Sequence, residues 1–315
     1  MTISQIRKEE QLNLQSLSWG NLTWVNIEHP TEKETEYLAQ NYPFHPLDLD
    51  DCLSRIQRPK IDEYKDYLFL VFHFPVFSKE ARVTTASQLS VFIGENYLIT
   101  LHKGELKPLV KLFRECQIDE ESRQEHFSEG SGYLLYRIID RLVDYCLPIS
   151  NKMLDNIEDV EDRIFSDTRG SAIKEISMLR RDIISFRRII WPMRAVIGSL
   201  EPKIRRFAKM DLAVYFGDTV DHLDKIWDAL DEYKELIEGL NDTHASLDHS
   251  HTNRVVRVLT ILATILMPIT VIASIWGMNI PLPFQHSSYA FLYVILICLA
   301  IIGSMFYFFR RQHWI

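Results

Sequence analysis

The stretch "ITVIASIWGMNIPLPF", residues 269–284, decides how this chain is read. It begins as a membrane helix and ends in a turn broken by Pro281 and Pro283. Between the two lie Gly277, Met278 and Asn279: a small residue, a thioether and a carboxamide, with no charge beside them. Upstream, residues 258–276 contain no charged side chain, and residues 289–309 form a second such run. At ~1.5 Å per residue either run reaches across a hydrocarbon core of ~30 Å. Two back-to-back runs at the C-terminal end predict two membrane spans rather than two core helices.

Basic residues set the orientation. Arg254 and Arg257 precede the first run, Arg310 and Arg311 follow the second, and the loop 277–288 contains no Lys or Arg. Basic flanks stay cytoplasmic, so both termini are expected in the cytoplasm and the short loop outside. The opening "MTISQIRKEEQ" has no apolar core of a signal peptide, which leaves the large N-terminal part on the side where it is made. The net charge of −8 argues against nucleic acid as a partner, because that needs a basic face. Cys52, Cys116, Cys146 and Cys298 show no paired spacing and read as reduced thiols.

The first ~145 residues alternate between strand and helix patterns. Strands are expected at 22–27, 67–74 and 89–101, and helices at 32–40 and 106–116. A short helix is expected at 45–53, with Pro46 in its first turn. From residue 133 the pattern is helical, interrupted at Pro148, at "DTRGS" (167–171) and at "EPK" (201–203). Residues 218–276 contain no proline before Pro268 and predict one helix of nearly 60 residues, roughly 85 Å long. Its first half must be a stalk outside the membrane. The fold class is therefore α+β: a cytoplasmic α/β domain (1–145), a helical and stalk region (146–252) and a transmembrane domain (253–315). The last comprises helix 1 (about 255–276), an outer loop (277–288) and helix 2 (about 289–309).

The stalk has two faces. Leu223, Ile226, Leu230, Tyr233, Ile237 and Leu240 form an apolar one that has to pack on something. Asp218, Asp221, Asp224, Asp228, Asp231, Glu235, Glu238 and Asp242 form an acidic one. Steps of seven from Asp228 pass through Glu235, Asp242, His249, Val256, Ala263, Thr270 and Gly277. A parallel row passes through Ser246, Asn253, Thr260, Met267 and Ser274. Acids below thus continue into small and hydroxylated residues inside the membrane. A period of seven suits parallel helices wound about a common axis, and polar groups in lipid face a partner or a water-filled path. Copies around an axis would make a pore with an acidic funnel; a plain helix dimer or packing seam is the competing reading.

These residues also carry a resemblance. "NRVVRVLTILATILMPITVIASIWGMN" (253–279) is similar to the first membrane helix and signature of the CorA family of divalent-cation channels. "HPLDLDDCLSRIQRPKIDEYKDYLFLVFHF" (45–74), "IIWPMR" (189–194) and "VYFGDTVDH" (214–222) match further segments of that family, so the likeness covers nearly the whole chain. It implies a homopentameric funnel in the plasma membrane that moves mainly Mg²⁺, and also Co²⁺ or Ni²⁺, with a related branch moving Zn²⁺. By position it implies that Asn279 rings the outer mouth, with Gly277 and Met278 completing the filter. Thr270, Met267, Leu259, Val256 and Asn253 line the pore, with Leu259 and Val256 at a hydrophobic constriction. Asp242 stands near the cytoplasmic mouth. Asp51 and Asp218 bind regulatory Mg²⁺ between neighbouring subunits, and Asp50 and Asp140 form a second regulatory site. Mg²⁺ is thus expected as both cargo and regulator.

The chain departs from that family in two places. Trp276 replaces the usual tyrosine, and the outer loop "IPLPFQHSSY" has no acid. His244, His249 and His251 lie below the span and His286 in the outer loop. Imidazole suits Zn²⁺, Co²⁺ or Ni²⁺ better than Mg²⁺, against the plainer reading of solvated stalk histidines. No phosphate-binding loop, zinc-protease, nucleophile-elbow or dinucleotide motif occurs, so no enzymatic activity is expected. A membrane-tethered regulatory protein without transport is the alternative of another class.

Overall fold

The computed structural model describes residues 12–54, 57–78, 83–165, 172–278, 289–312 and 314. The element order is β1 (Leu14–Trp19), β2 (Leu22–Glu28), α1 (Glu32–Asn41), α2 (Pro46–Leu53), β3 (Lys60–Glu63), β4 (Tyr67–Ser78), β5 (Val83–Gly94) and β6 (Tyr97–His102). Helices follow: α3 (Lys107–Ile118), α4 (Glu120–Phe127), α5 (Ser131–Asp144), α6 (Cys146–Phe165), α7 (Ala172–Gly198), α8 (Glu201–Ile204), α9 (Ala213–Trp276) and α10 (Ala290–Arg311). Two compact units result, Met1–Asn241 and Asp242–Ile315.

The first unit is built on a six-stranded sheet in the order β1-β2-β6-β5-β4-β3. Only β2 and β6 pair in parallel. The run "YLFLVFHF" in β4 is continuous rather than alternating because the sheet is covered on both faces. One face packs Val25, Ile27, Phe69, Val71, Ile99 and Leu101 against Leu38 of α1 and Leu49 and Cys52 of α2. The other is covered by α5 and α7, whose residues approach β4, β5 and β6. On α3, Phe113 meets Trp24 edge-on at 4.9 Å. Local signals start the helices as their sequences dictate. Glu34 reaches back 2.8 Å to the Thr31 N–H in a capping box, and Pro46 opens α2.

Three expectations change. The single strand expected at 89–101 is two strands, β5 and β6, folded at Glu95–Asn96. Gly94 is required there, because a Cβ would lie 2.5 Å from the Tyr97 ring. Strands β1 and β3 escaped the pattern reading: β3 is an edge of four residues, "KIDE", with no apolar alternation to see. The long helix begins at Ala213 rather than 218 and runs 64 residues, about 95 Å at ~1.5 Å per residue. The expected break at 201–203 falls between α7 and α9, while "DTRGS" lies outside the described residues.

The apolar stalk face packs as its spacing requires: Leu223, Ile226, Leu230, Tyr233, Ile237 and Leu240 are all buried. In the second unit, α10 and the C-terminal part of α9 are long and apolar enough to cross a membrane, and their apolar windows are unburied within the chain. At the end of α10, Phe309 stacks on Trp314 at 5.8 Å.

Candidate cation pathway and sensing residues

Seven acids of α9 form two heptad rows. Asp224, Asp231 and Glu238 pair with Arg194, Arg187 and Arg180 of α7, the last pair at 3.7 Å. Each pair steps one heptad along both helices in opposite directions, so α7 and α9 run antiparallel here. Between the pairs, Trp191 lies 4.9 Å from Trp227, and the Arg187 guanidinium sits 4.5 Å above the Trp227 ring. This corrects the reading of one open acidic face. Three of its eight acids are paired with arginines, and the signal lay in the seven-residue spacing of Arg180, Arg187 and Arg194 on another helix.

The second row, Asp221, Asp228, Glu235 and Asp242, is exposed and has no ion pair among the described residues. It is this row that continues by sevens through His249, Val256, Ala263, Thr270 and Gly277. At ~100° per residue, Asp242, Asn253, Val256, Leu259, Met267 and Thr270 fall within an arc of about 120°. All are exposed, Met267 at 70% and Leu259 at 60%.

The threonines use their protons inward. Thr260 Oγ1 donates to Val256 O at 2.8 Å, Thr264 Oγ1 to Thr260 O at 2.6 Å, and Thr270 Oγ1 to Met267 O at 2.8 Å. With its one proton committed to the backbone, each hydroxyl keeps only acceptor lone pairs for a visitor. Water held by a divalent cation donates outward and meets acceptors of that kind. Mg²⁺ dehydrates reluctantly and therefore favours such contacts over direct ligation.

At the far end Gly277 N–H donates to Ala273 O at 2.9 Å and Met278 N–H to Ile275 O at 3.2 Å, closing the helix. Gly277 does not take a positive φ. A Cβ there would lie 3.2 Å from Ala273 O. Asn279, and with it residues 280–288 including His286, lies outside the described residues.

The four acids assigned to sensing occupy two places. Asp51, on α2, is held by three groups. Lys60 Nζ lies 2.7 Å from Oδ2, Gln57 Nε2 donates to Oδ1 at 2.7 Å, and Gln88 Nε2 donates to its main-chain oxygen at 3.0 Å. Lys60 also reaches Asp62 at 2.5 Å. Asp50 beside it is exposed. Asp48, a turn away, is buried; burial raises its carboxyl above the ordinary range, and Tyr67 O–H lies 3.4 Å from it.

Asp140 on α5 and Asp218 on α9 share the second place with Asp144 and His222. Burial, and then the Asp144 charge, raise the Asp140 carboxyl above its ordinary value. His222 bridges the others, with Nδ1 3.0 Å from Asp144 Oδ1 and Nε2 3.9 Å from Asp218 Oδ2. Among the described residues no three His, Cys, Asp or Glu side chains stand together as a metal site. The donors are hard carboxylate oxygens of the kind Mg²⁺ takes, so they fit the ion but need further ligands to complete its shell. Sequence reading missed Gln57, Lys60 and His222, which touch an acid it had named, and Asp144, whose charge acts on Asp140.

Of the stalk histidines, His244 is buried with Nδ1 3.6 Å from Asp248. His249 and His251 are exposed. His244 thus departs from the expectation of solvated histidines.

Against known proteins, the family model described as "CorA-like Mg2+ transporter protein" matches residues 19–311. A putative metal ion transporter of Bacillus subtilis, YfjQ, is 29% identical over 306 residues, covering 97% of this chain and 92% of that protein. The cobalt/magnesium transport protein CorA of Thermotoga maritima is 28% identical, covering 93% of this chain and 83% of its own. Among solved structures, the complete CorA magnesium transporter of Methanocaldococcus jannaschii superposes with a TM-score of 0.83 at 24% identity, over 95% of this chain and 94% of that one. At that identity the superposition establishes the fold.

Proposed function

The chain belongs to the CorA-like Mg²⁺ transporter family, and from that premise we propose that it is a homopentameric channel that moves Mg²⁺ across the plasma membrane. Both termini lie in the cytoplasm. Residues 1–145 form the sensing domain, 146–252 the helical and stalk region, and 253–315 the membrane domain. Five copies of α9 line the pore with Asp242, Asn253, Val256, Leu259, Met267 and Thr270. Gly277, Met278 and Asn279 form the outer filter.

The observation that carries this reading is the one unpaired heptad row of α9. It delivers exposed acids at one end and the acceptor-only hydroxyl of Thr270 at the other. Carboxylates at the wide end concentrate cations without holding them at a constriction. A neutral carboxamide ring at the mouth can accept hydrogen bonds from the ion's water shell through its carbonyl oxygens. Carboxylates there would hold a divalent ion too long for conduction. Rings of Val256 and Leu259 close the path by dewetting.

Asp51 and Asp218 of adjacent subunits hold regulatory Mg²⁺, with Asp50 and Asp140 as a second site. The ion favours closure only by its greater affinity for the closed arrangement. The incomplete ligand groups within one chain support a shared site. His249 and His251, exposed below the span, favour a second reading in which Co²⁺, Ni²⁺ or Zn²⁺ competes for passage.

Assembly size discriminates the channel from a non-transporting tether. Light scattering in detergent is expected to give five copies per particle. One or two copies would remove the pore.

A further inference from the structure

We propose that Lys60 is a built-in competitor for the regulatory cation at Asp51 and sets the concentration at which that cation binds. The inference rests on the reading of Asp51 as a regulatory ligand, and it comes from the side chains around that carboxylate. Neither oxygen of Asp51 is free: Lys60 Nζ stands 2.7 Å from one and the Gln57 amide 2.7 Å from the other. A divalent ion drawing on this carboxylate meets an ammonium already in place, and two cations on one carboxylate repel. Lys60 therefore has to leave as the ion arrives.

The surroundings give it somewhere to go. Asp62 is 2.5 Å from the same ammonium, so a lysine that leaves Asp51 keeps a partner. Both Lys60 and Asp62 lie on β3, the edge strand that pairs only with β4, while Asp51 lies on α2. Lys60 thus has two anchors, one on its own strand and one on the helix that carries the sensing acid. Its flexible stem lets the ammonium shift between them. The exchange gives up one partly exposed ion pair, worth no more than about a fivefold change in affinity. That size can tune a threshold without abolishing binding.

The two anchors make opposite predictions, which a merely structural role for Lys60 would not. The test uses the full-length protein in detergent, with its unfolding midpoint followed as Mg²⁺ is titrated at fixed ionic strength. Mg²⁺-dependent closure of the same variants is then measured in liposomes. Lys60→Met keeps the stem and removes the competitor, so half-saturation is expected at about fivefold lower Mg²⁺. Asp62→Asn removes the second anchor and leaves Lys60 on Asp51, so half-saturation is expected to rise two- to threefold. Lys65→Met removes the same charge nearby and is expected to leave the midpoint unmoved. Lys60→Gln serves if Lys60→Met does not fold.

Equal or same-direction shifts in Lys60→Met and Asp62→Asn overturn the competitor, as does an equal shift in Lys65→Met. Asp51→Ala separates the two levels. If it leaves the Mg²⁺ response intact, the regulatory reading of Asp51 fails. If it abolishes the response while the Lys60 and Asp62 variants behave as wild type, only the competitor fails.

Discussion

The two parts of α9 are one helix with opposite solutions to the same problem. From Ala213 to Asn241 one apolar face, Leu223 to Leu240, is buried, and three of its acids are matched by arginines of α7. From Asp242 onward it is exposed on nearly every face, and its threonines turn their protons onto their own backbone. The first part is satisfied by its own chain. The second finds few partners within its own chain, and on the proposed reading its partners are other copies, lipid and the passing ion. The unpaired row Asp221, Asp228 and Glu235 carries the exposure of the second part, which opens at Asp242, down into the first.

The largest effect should come from the packed part. Leu230 is fully buried, and Leu230→Ala is expected to cost about 2–5 kcal/mol of stability. Leu262→Ala, at an exposed membrane position, should leave that transition within ~0.5 kcal/mol. Denaturant unfolding of the detergent-solubilised protein, read by tryptophan fluorescence, compares them. Equal losses would erase the distinction between the two parts.

A smaller effect separates the two acidic rows. A double-mutant cycle on Arg187 and Asp231 should return a coupling of roughly 0.5–1 kcal/mol. Asp228→Asn, in the unpaired row, should change stability by less than about 0.5 kcal/mol. Coupling near zero for Arg187 and Asp231, with a large loss for Asp228→Asn, would exchange the roles assigned to the rows.

How much of this was legible in the sequence follows from where each signal resides. The two spans, the long helix and its apolar face depend on period and length along one segment, and those are visible in a string of letters. The heptad continuity from Asp228 to Gly277 is of the same kind. The salt-bridge ladder is not, because it needs the register between α7 and α9, although Arg180, Arg187 and Arg194 carried the matching spacing. The turn at Glu95–Asn96 was hidden by apolar residues on both sides of it. Lys60 and Gln57 stayed invisible as partners of Asp51 because a short edge strand with no apolar alternation brings Lys60 back beside α2. The roles of Asp51, Asp218 and Asn279 rest on resemblance, because no period or spacing in the sequence marks them.

The central claim of the proposal is that the unpaired row of α9, which reaches Gly277 two residues before Asn279, is the path of the ion. It is tested most directly by Mg²⁺ uptake into liposomes loaded with a Mg²⁺-sensitive dye. Wild type and Leu262→Ala, which lies off the row, are expected to conduct alike. Asn279→Ala is expected to lose at least about tenfold of the flux, a change of roughly 1.4 kcal/mol or more in the barrier. Undiminished flux through Asn279→Ala would contradict the account.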